Sequence, residues 1–259
     1  MKVDTIKLRK WQSEAVEKSI QWLITERNDR RFLINAAPGA GKTICASVIA
    51  AKLIDLGEVD RVIVIAPMAE VVKTWAKEFE FVTGRIMVKK TNIDDEFERD
   101  GEDICATWAA TQKLLDGYQK VCRESRVLLI CDEHHHAAVS AAWGEGASNA
   151  FADAKFSLIL TGTPIRSDGE EPVWFAYTDE GKIEHPEGGT YTLNYGVAVE
   201  EGYCNPITFH RYEGNFTVEH EDGEKIKNVT GSNEILIPKK LKSIKGISRA
   251  LEFYTLATR

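Results

Sequence analysis

The sequence predicts an α/β fold: a mostly parallel central sheet with helices on both faces, continued by a β-rich and helical C-terminal extension. Two observations carry this expectation. Up to Arg166, short runs rich in Val, Ile and Leu alternate with stretches of helical spacing, the pattern of successive strand–helix–strand crossovers. Most of these runs are apolar almost throughout, as strands covered on both faces must be. Composition agrees. Of 259 residues, 43% are hydrophobic and 28% charged, which suits a globular chain and excludes a disordered, collagen-like or disulfide-stapled one.

In chain order, strands are expected at Phe32–Asn35, Val62–Ala66, Ile86–Val88, Ile104–Ala106, Val127–Cys131 and Ser157–Leu160. The clearest are Val-Ile-Val-Ile-Ala, Val-Leu-Leu-Ile-Cys and Ser-Leu-Ile-Leu, continuous apolar runs of strand length. Helices are expected at Gln12–Thr25, Lys42–Leu56, Ala69–Phe79, Gln112–Cys122 and Ala137–Ala154, the last interrupted by Gly144 and Gly146. After Arg166 the texture changes. Residues Ser167–Gly189 are acidic and rich in glycine, and read as an exposed loop or small hairpin. Aromatic and β-branched alternation runs from Tyr191 to Phe216, with turn signals at Glu213-Gly214 and Asp222-Gly223, and Ser243–Thr258 has helical character.

No apolar run approaches the ~18 residues of a membrane span. Met1–Lys10 carries scattered charges and no apolar segment of the kind that directs secretion. The five cysteines (Cys45, Cys105, Cys122, Cys131, Cys204) form no C-x-x-C pair and read as reduced thiols of a cytoplasmic protein. The net charge is −7, so bulk charge gives no argument for nucleic acid, and any such partner has to be argued from motifs.

The first motif is Asn35-Ala36-Ala37-Pro38-Gly39-Ala40-Gly41-Lys42-Thr43, placed between an expected strand and an expected helix. That context suits a phosphate loop, in which backbone N–H groups and a helix N-terminus converge on an anion. Gly39 and Gly41 let the backbone approach the ligand, Lys42 reaches the β- and γ-phosphates, and Thr43 offers its hydroxyl to Mg²⁺. Ala36 stands where the usual pattern has its first glycine. The competing reading is a Gly-rich turn with a solvated lysine.

The second motif ends the strand Val127–Cys131 with Asp132, Glu133, His134, His135 and His136. Carboxylates at the C-terminal edge of a parallel sheet lie where ligands bind in such folds. Asp132 suits Mg²⁺, and Glu133 suits the proton of a water attacking a γ-phosphate. Three successive histidines cannot easily share one metal, because neighbours on an extended segment point to opposite sides.

These two motifs resemble the paired nucleotide site of superfamily 2 helicases and translocases of the DExH group, closest to restriction-type and phage or plasmid helicases. Further segments agree in order. Leu8-Arg9-Lys10-Trp11-Gln12 resembles the Q motif, in which the glutamine reads adenine; an amide such as that of Gln12 can pair with adenine N6 and N7. Ala66-Pro67, with Val71 and Trp75, resembles motif Ia, which implies backbone contacts to nucleic acid around Pro67. Thr107-Trp108 and Thr111-Gln112 both fit the next nucleic-acid motif. Trp75 and Trp108 read more simply as core packing than as base-stacking platforms. Thr161-Gly162-Thr163-Pro164 resembles motif III, which implies that Thr161, Thr163 and His135 couple the nucleotide site to strand engagement.

The resemblance implies a RecA-like first motor domain over residues 1–195 and a connector over 196–259, ATP and Mg²⁺ as cofactors, and nucleic acid as partner, DNA ahead of RNA. It also implies a second RecA-like domain, in the full-length chain or a partner subunit, because no arginine-finger motif follows Arg166 and Arg211, Arg249 and Arg259 stand isolated. Such an arginine is worth about 10³–10⁵ in rate, so slow hydrolysis is expected of this chain by itself. Two other classes compete: a nucleotide-gated binding module without motor activity, and a metabolic P-loop kinase.

Overall fold

The computed structural model describes residues 6–91, 102–112, 114–132, 150–162, 175–177 and 183–206, together with the backbone of 215–219 and 225–230. Contacts divide the chain into two units, Met1–Asn205 and Pro206–Arg259.

The first unit is built on a seven-stranded sheet. Its strands are β1 (Arg31–Ala36), β2 (Arg61–Ala66), β3 (Met87–Lys90), β4 (Asp103–Thr107), β5 (Val127–Asp132), β6 (Phe156–Thr161) and β9 (Thr190–Leu193). They lie in the order β3-β4-β2-β5-β6-β1-β9, and every pairing is parallel. Two short strands, β7 (Ala176–Tyr177) and β8 (Ile183–Glu184), pair antiparallel beside it. The helices are α1 (Lys10–Ile20), continued by a wider turn over Gln21–Glu26, then α2 (Lys42–Asp55), α3 (Ala69–Thr83), α4 (Trp108–Gln112), α5 (Leu115–Glu124) and α6 (Tyr195–Glu200).

Period-two alternation along the central strands explains the continuous apolar runs. Phe32, Ile34, Val62, Val64, Leu128, Ile130, Leu158 and Leu160 face one core with α1, α2 and α3. Leu33, Ile63, Ile65, Leu129, Cys131 and Ile159 face a second core, filled by Trp108, Tyr118, Val121 and Phe151. With a helical layer on each side, neither face of these strands meets water, so neither needs polar residues. Helix α2 is buried on most of its circumference, from Cys45 to Leu53, because it lies between α1 and α3. Helix α3 buries Val72, Trp75, Ala76, Phe79 and Val82 at helical spacing and stops at Gly84, whose φ of 73° is left-handed.

The structure refines several sequence expectations. The helix expected at Gln112–Cys122 is α5, which starts later, at Leu115; a separate short helix, α4, precedes it, begun by Thr107, whose hydroxyl accepts the Ala110 N–H. The segment expected as an exposed excursion at Ser167–Gly189 contains buried Phe175, which packs at 4.6 Å against the His185 ring. Strand β9 extends the sheet beyond β1, an addition to the six expected strands. Most of the helix expected at Ala137–Ala154, and the one at Ser243–Thr258, lie outside the described residues. All five cysteines are free thiols. In the second unit, β10 (Asn215–Glu219) and β11 (Lys225–Thr230) form an antiparallel pair whose register shifts between Phe216 and Thr217.

Candidate active site

Strand β1 ends at Ala36 and α2 begins at Lys42, so the loop between them lies at the C-terminal edge of the sheet. Gly39 (φ 77°) and Gly41 (φ 95°) are left-handed, a conformation other residues enter only with strain. At Gly41 a Cβ would also lie 2.9 Å from Gln12 Nε2. Ala36, in place of the customary glycine, is the last residue of β1, and its methyl is buried in the first core.

Four of the loop's carbonyls are held by protein donors. Lys42 Nζ donates to the Ala36 carbonyl at 3.0 Å, and the Cys204 thiol donates to Pro38 at 3.1 Å. Arg9 Nη1 donates to Ala40 at 2.8 Å, and Gln12 Nε2 to Gly41 at 2.9 Å. These bonds hold the loop in one shape ahead of α2. The first N–H groups of α2 have no partner within the helix, and its positive dipole end meets the loop. The result is a concavity suited to phosphate oxygens.

Asp132 ends β5 and is 9% exposed. Trp75, 1% exposed on α3, donates its indole N–H to Asp132 Oδ2 at 2.7 Å, which fixes the carboxylate's orientation. One turn further along α3 stands Glu78, on the face that carries Trp75 and near both Thr43 and Asp132. Burial pushes the Glu78 carboxyl above the ordinary carboxylate range, and the nearby Asp132 charge adds to this against the opposing pull of the Thr43 hydroxyl. Thr43, Glu78 and Asp132 therefore lie near one another.

Strand order brings the third loop in. Strand β6 lies between β5 and β1, so Thr161 and Gly162 emerge between Asp132 and the phosphate loop. Thr161 is fully buried. A Cβ at Gly162 would stand 3.1 Å from the Pro38 ring and 3.3 Å from Lys42 Nζ, so a glycine is what lets this loop close on the lysine.

Gln12 is 4% exposed, and besides holding Gly41 it accepts the Arg9 backbone N–H on Oε1 at 2.9 Å. Its amide is thus built into the wall of the phosphate loop, with one N–H and one lone pair left over. Pro67 is half-buried just after β2. Thr111 is buried and donates its hydroxyl to the Thr107 carbonyl at 2.9 Å, which places it inside α4 rather than on a contact surface. Trp75 and Trp108 are core residues. Glu133, His135, Thr163 and the Gln112 side chain lie outside the described residues. Sequence reasoning missed Arg9, Glu78 and Cys204, and missed that Trp75 touches Asp132. The available signal was helical spacing: Arg9 stands three residues before Gln12, and Glu78 three after Trp75.

The donor set fits a hard divalent cation. A threonine hydroxyl and an aspartate at one sheet edge, beside a phosphate cradle, match the one or two carboxylates plus substrate phosphates by which Mg²⁺ is usually held. The cradle and Lys42 fit a polyphosphate.

Fold and site together define a P-loop nucleotide-binding domain of the RecA-like, helicase type. Residues 5–166 match the family described as type III restriction enzyme, res subunit, and the chain belongs to that family. Curated relatives include an uncharacterized protein of Mycobacterium tuberculosis, 29% identical over 218 residues, covering 84% of this chain and 35% of the relative. Another, from Mycobacterium leprae, is 28% identical over 223 residues, covering 86% and 36%. This chain thus spans about a third of the length of those relatives. Among solved structures, the Type ISP restriction-modification enzyme LlaGI, in complex with a DNA substrate mimic, has a TM-score of 0.53 at 17% identity, covering 76% of this chain and 21% of that one. The Sulfolobus solfataricus SWI2/SNF2 ATPase core in complex with dsDNA has a TM-score of 0.51 at 17% identity, covering 61% and 32%. These similarities establish a shared fold. Among the described residues, no helix is long and apolar enough to cross a membrane.

Proposed function

We propose that this chain is the ATP-binding first motor domain of a nucleic-acid-dependent ATPase, and that it hydrolyses ATP to ADP and phosphate. The observation that carries the reading is that the ends of β1, β6 and β5 lie side by side at one sheet edge, which brings the phosphate loop, Thr161-Gly162 and Asp132 together there, with Gly162 beside Lys42. The loop N–H groups and Lys42 bind the triphosphate. Thr43 and Asp132 would hold Mg²⁺, whose charge neutralises the phosphate oxygens. Trp75 keeps Asp132 in one orientation. Glu133, the residue after Asp132, accepts the proton as water attacks the γ-phosphorus and the bond to the ADP oxygen breaks. DNA is the favoured partner, given the family and the DNA-bound proteins that share the fold. A second RecA-like domain, in the same polypeptide or another, would supply the arginine that makes turnover fast.

Calorimetry with ATP·Mg²⁺ and phosphate release with and without DNA test this. The expected result is nucleotide binding, slow turnover raised by DNA, and a Glu133→Gln variant that binds but does not turn over. No heat from ATP·Mg²⁺ ends the reading. Turnover unchanged in Glu133→Gln removes that residue from the base role. Nucleotide-dependent DNA binding without turnover, in a protein carrying both motor domains, would instead indicate a nucleotide-gated binding module.

A further inference from the structure

The phosphate loop is held by a segment that lies far along the chain. Strand β9 pairs with β1 at the sheet's edge and runs into α6, and both ends of this stretch meet the loop. At one end the Leu193 carbonyl accepts the Ala37 N–H at 3.3 Å. At the other, the Cys204 thiol donates to the Pro38 carbonyl at 3.1 Å. Arg9 adds a third tie. Its Nη1 carries two N–H bonds, and it donates to the Ala40 carbonyl at 2.8 Å and to the Tyr203 carbonyl at 3.2 Å. The same guanidinium lies 5.3 Å from the centre of the Tyr203 ring. Tyr203 and Cys204 are themselves fixed by the end of α6, where both N–H groups donate to the Ala198 carbonyl, at 2.7 and 3.1 Å.

Arg9 is exposed, and an exposed arginine gives up rotamer freedom to hold a single carbonyl. A second carbonyl and an aromatic face for the same planar group offset that cost. We propose that Tyr203 is a positioning residue for the phosphate loop, acting through Arg9, and that polyphosphate binding and the hold on residues 203–204 strengthen each other. The inference rests on the nucleotide-site reading above. It extends that reading to the segment by which the chain leaves this unit, since the second unit begins at Pro206. Such coupling is reciprocal: the factor by which fixing Tyr203 tightens the ligand is the factor by which the ligand tightens the hold on Tyr203. Cys204 can report it, being half-buried beside Tyr203 while the other four cysteines are buried.

The test alkylates the full chain with iodoacetamide, a neutral reagent, with and without saturating tripolyphosphate·Mg²⁺, and follows Cys204 by peptide mass spectrometry. Tripolyphosphate occupies the loop but has no nucleoside that could cover the thiol. Bound ligand is expected to slow Cys204 alkylation about two- to fivefold, the range a cation–π contact supplies. Tyr203→Leu keeps apolar bulk and removes the aromatic face. By calorimetry it should weaken tripolyphosphate·Mg²⁺ and ATP·Mg²⁺ alike by about two- to fivefold, and at saturation the slowing of alkylation should shrink. Tyr203→Phe, which keeps the face, should restore both. In an Arg9→Ala background Tyr203→Leu should have no further effect on affinity, because the two residues act as one unit. Alkylation indifferent to bound tripolyphosphate overturns the proposal, as do unchanged affinities in Tyr203→Leu or an additive loss in the Arg9→Ala background. So does a slowing that persists undiminished in Tyr203→Leu, which the ligand's charge alone would produce. A loss confined to ATP also overturns it, since Tyr203 would then meet the nucleoside rather than position the loop. If the unsubstituted chain binds neither ligand, the nucleotide-site reading fails before any variant is compared, and this proposal falls with it.

Discussion

The two edges of the parallel sheet use charge in opposite ways. At the N-terminal edge, acids and bases meet each other. Asp60, just before β2, pairs with Arg126, just before β5. Arg85, ahead of β3, grips Asp103 at the start of β4 through Nε (2.6 Å) and Nη2 (2.9 Å), and Asp103 also accepts the Val62 N–H at 2.7 Å. Glu58 receives both Lys155 and Arg27. At the C-terminal edge the polar side chains hold backbone carbonyls or orient an acid: Arg9, Gln12, Lys42 and Cys204 hold the phosphate loop, and Trp75 holds Asp132. One edge neutralises its charges internally and contributes stability. The other keeps N–H groups and carboxylates directed at a shared space, as a site for a polyanion with its cation requires.

If this division is right, substitutions at the two edges should separate stability from binding. The largest effect is expected from Asp103→Ala, which leaves Arg85 with only its bond to the Asp60 carbonyl and leaves the Val62 N–H unpaired. With the Asp103 side chain only 1% exposed, the loss should be about 3–5 kcal/mol in urea denaturation. The folded fraction should keep its nucleotide affinity, and a loss of affinity in step with stability would break the comparison. At the opposite edge, Lys42→Ala should weaken ATP binding about 10- to 100-fold, equivalent to about 1.5–3 kcal/mol, with little change in unfolding free energy. A large stability loss there would mean that the lysine's bond to Ala36 is structural.

Gln12→Ala sharpens the comparison further. The motif resemblance predicts adenine reading, whereas the structure uses the same amide to hold Gly41 and the Arg9 N–H. A residue that holds the loop should, when removed, weaken ATP and inorganic tripolyphosphate alike, by about 1–2 kcal/mol. A loss confined to ATP would restore adenine recognition as its main task. The two ligands can be compared directly by competition calorimetry.

What was legible in the sequence follows from how local each feature is. The central strands could be read because burial on both faces writes itself into consecutive residues, as in Val62–Ala66 and Val127–Cys131. The phosphate loop was legible because its glycines, Lys42 and Thr43 are contiguous. Strand β9 was read only as part of the aromatic and β-branched alternation from Tyr191 onward, and not as a strand of the central sheet, because Thr190-Tyr-Thr-Leu lies at the sheet's edge and has no continuous apolar run. Phe175 was misjudged because the short apolar stretch 173–177 is flanked by Glu170, Glu171, Asp179 and Glu180, while its burial depends on a core built by distant segments. Glu78 and Arg9 could be placed only once α3 packed on α2 and α1 on the phosphate loop, since no local pattern records which helix a carboxylate or guanidinium will meet.

The smallest expected effect concerns Asp60. Hydrogen bonds from the Arg126 side chain and backbone hold its carboxyl at about 2, below the ordinary 3.8. A carboxyl made more acidic by folding contributes its stability fully above about pH 4 and loses it as pH falls through about 2. The pair is about half exposed, so screening keeps the contribution below about 1 kcal/mol. Asp60→Asn should therefore be slightly less stable than the unsubstituted chain at pH 6 in low salt. The difference should shrink as pH falls from 4 towards 2, and again in 1 M salt, where screening is nearly complete. Arg126 also donates to the Gly57 carbonyl, a bond that Asp60→Asn leaves in place. A difference that ignores both pH and salt would show that hydrogen-bond geometry around Arg126, rather than charge, secures this edge.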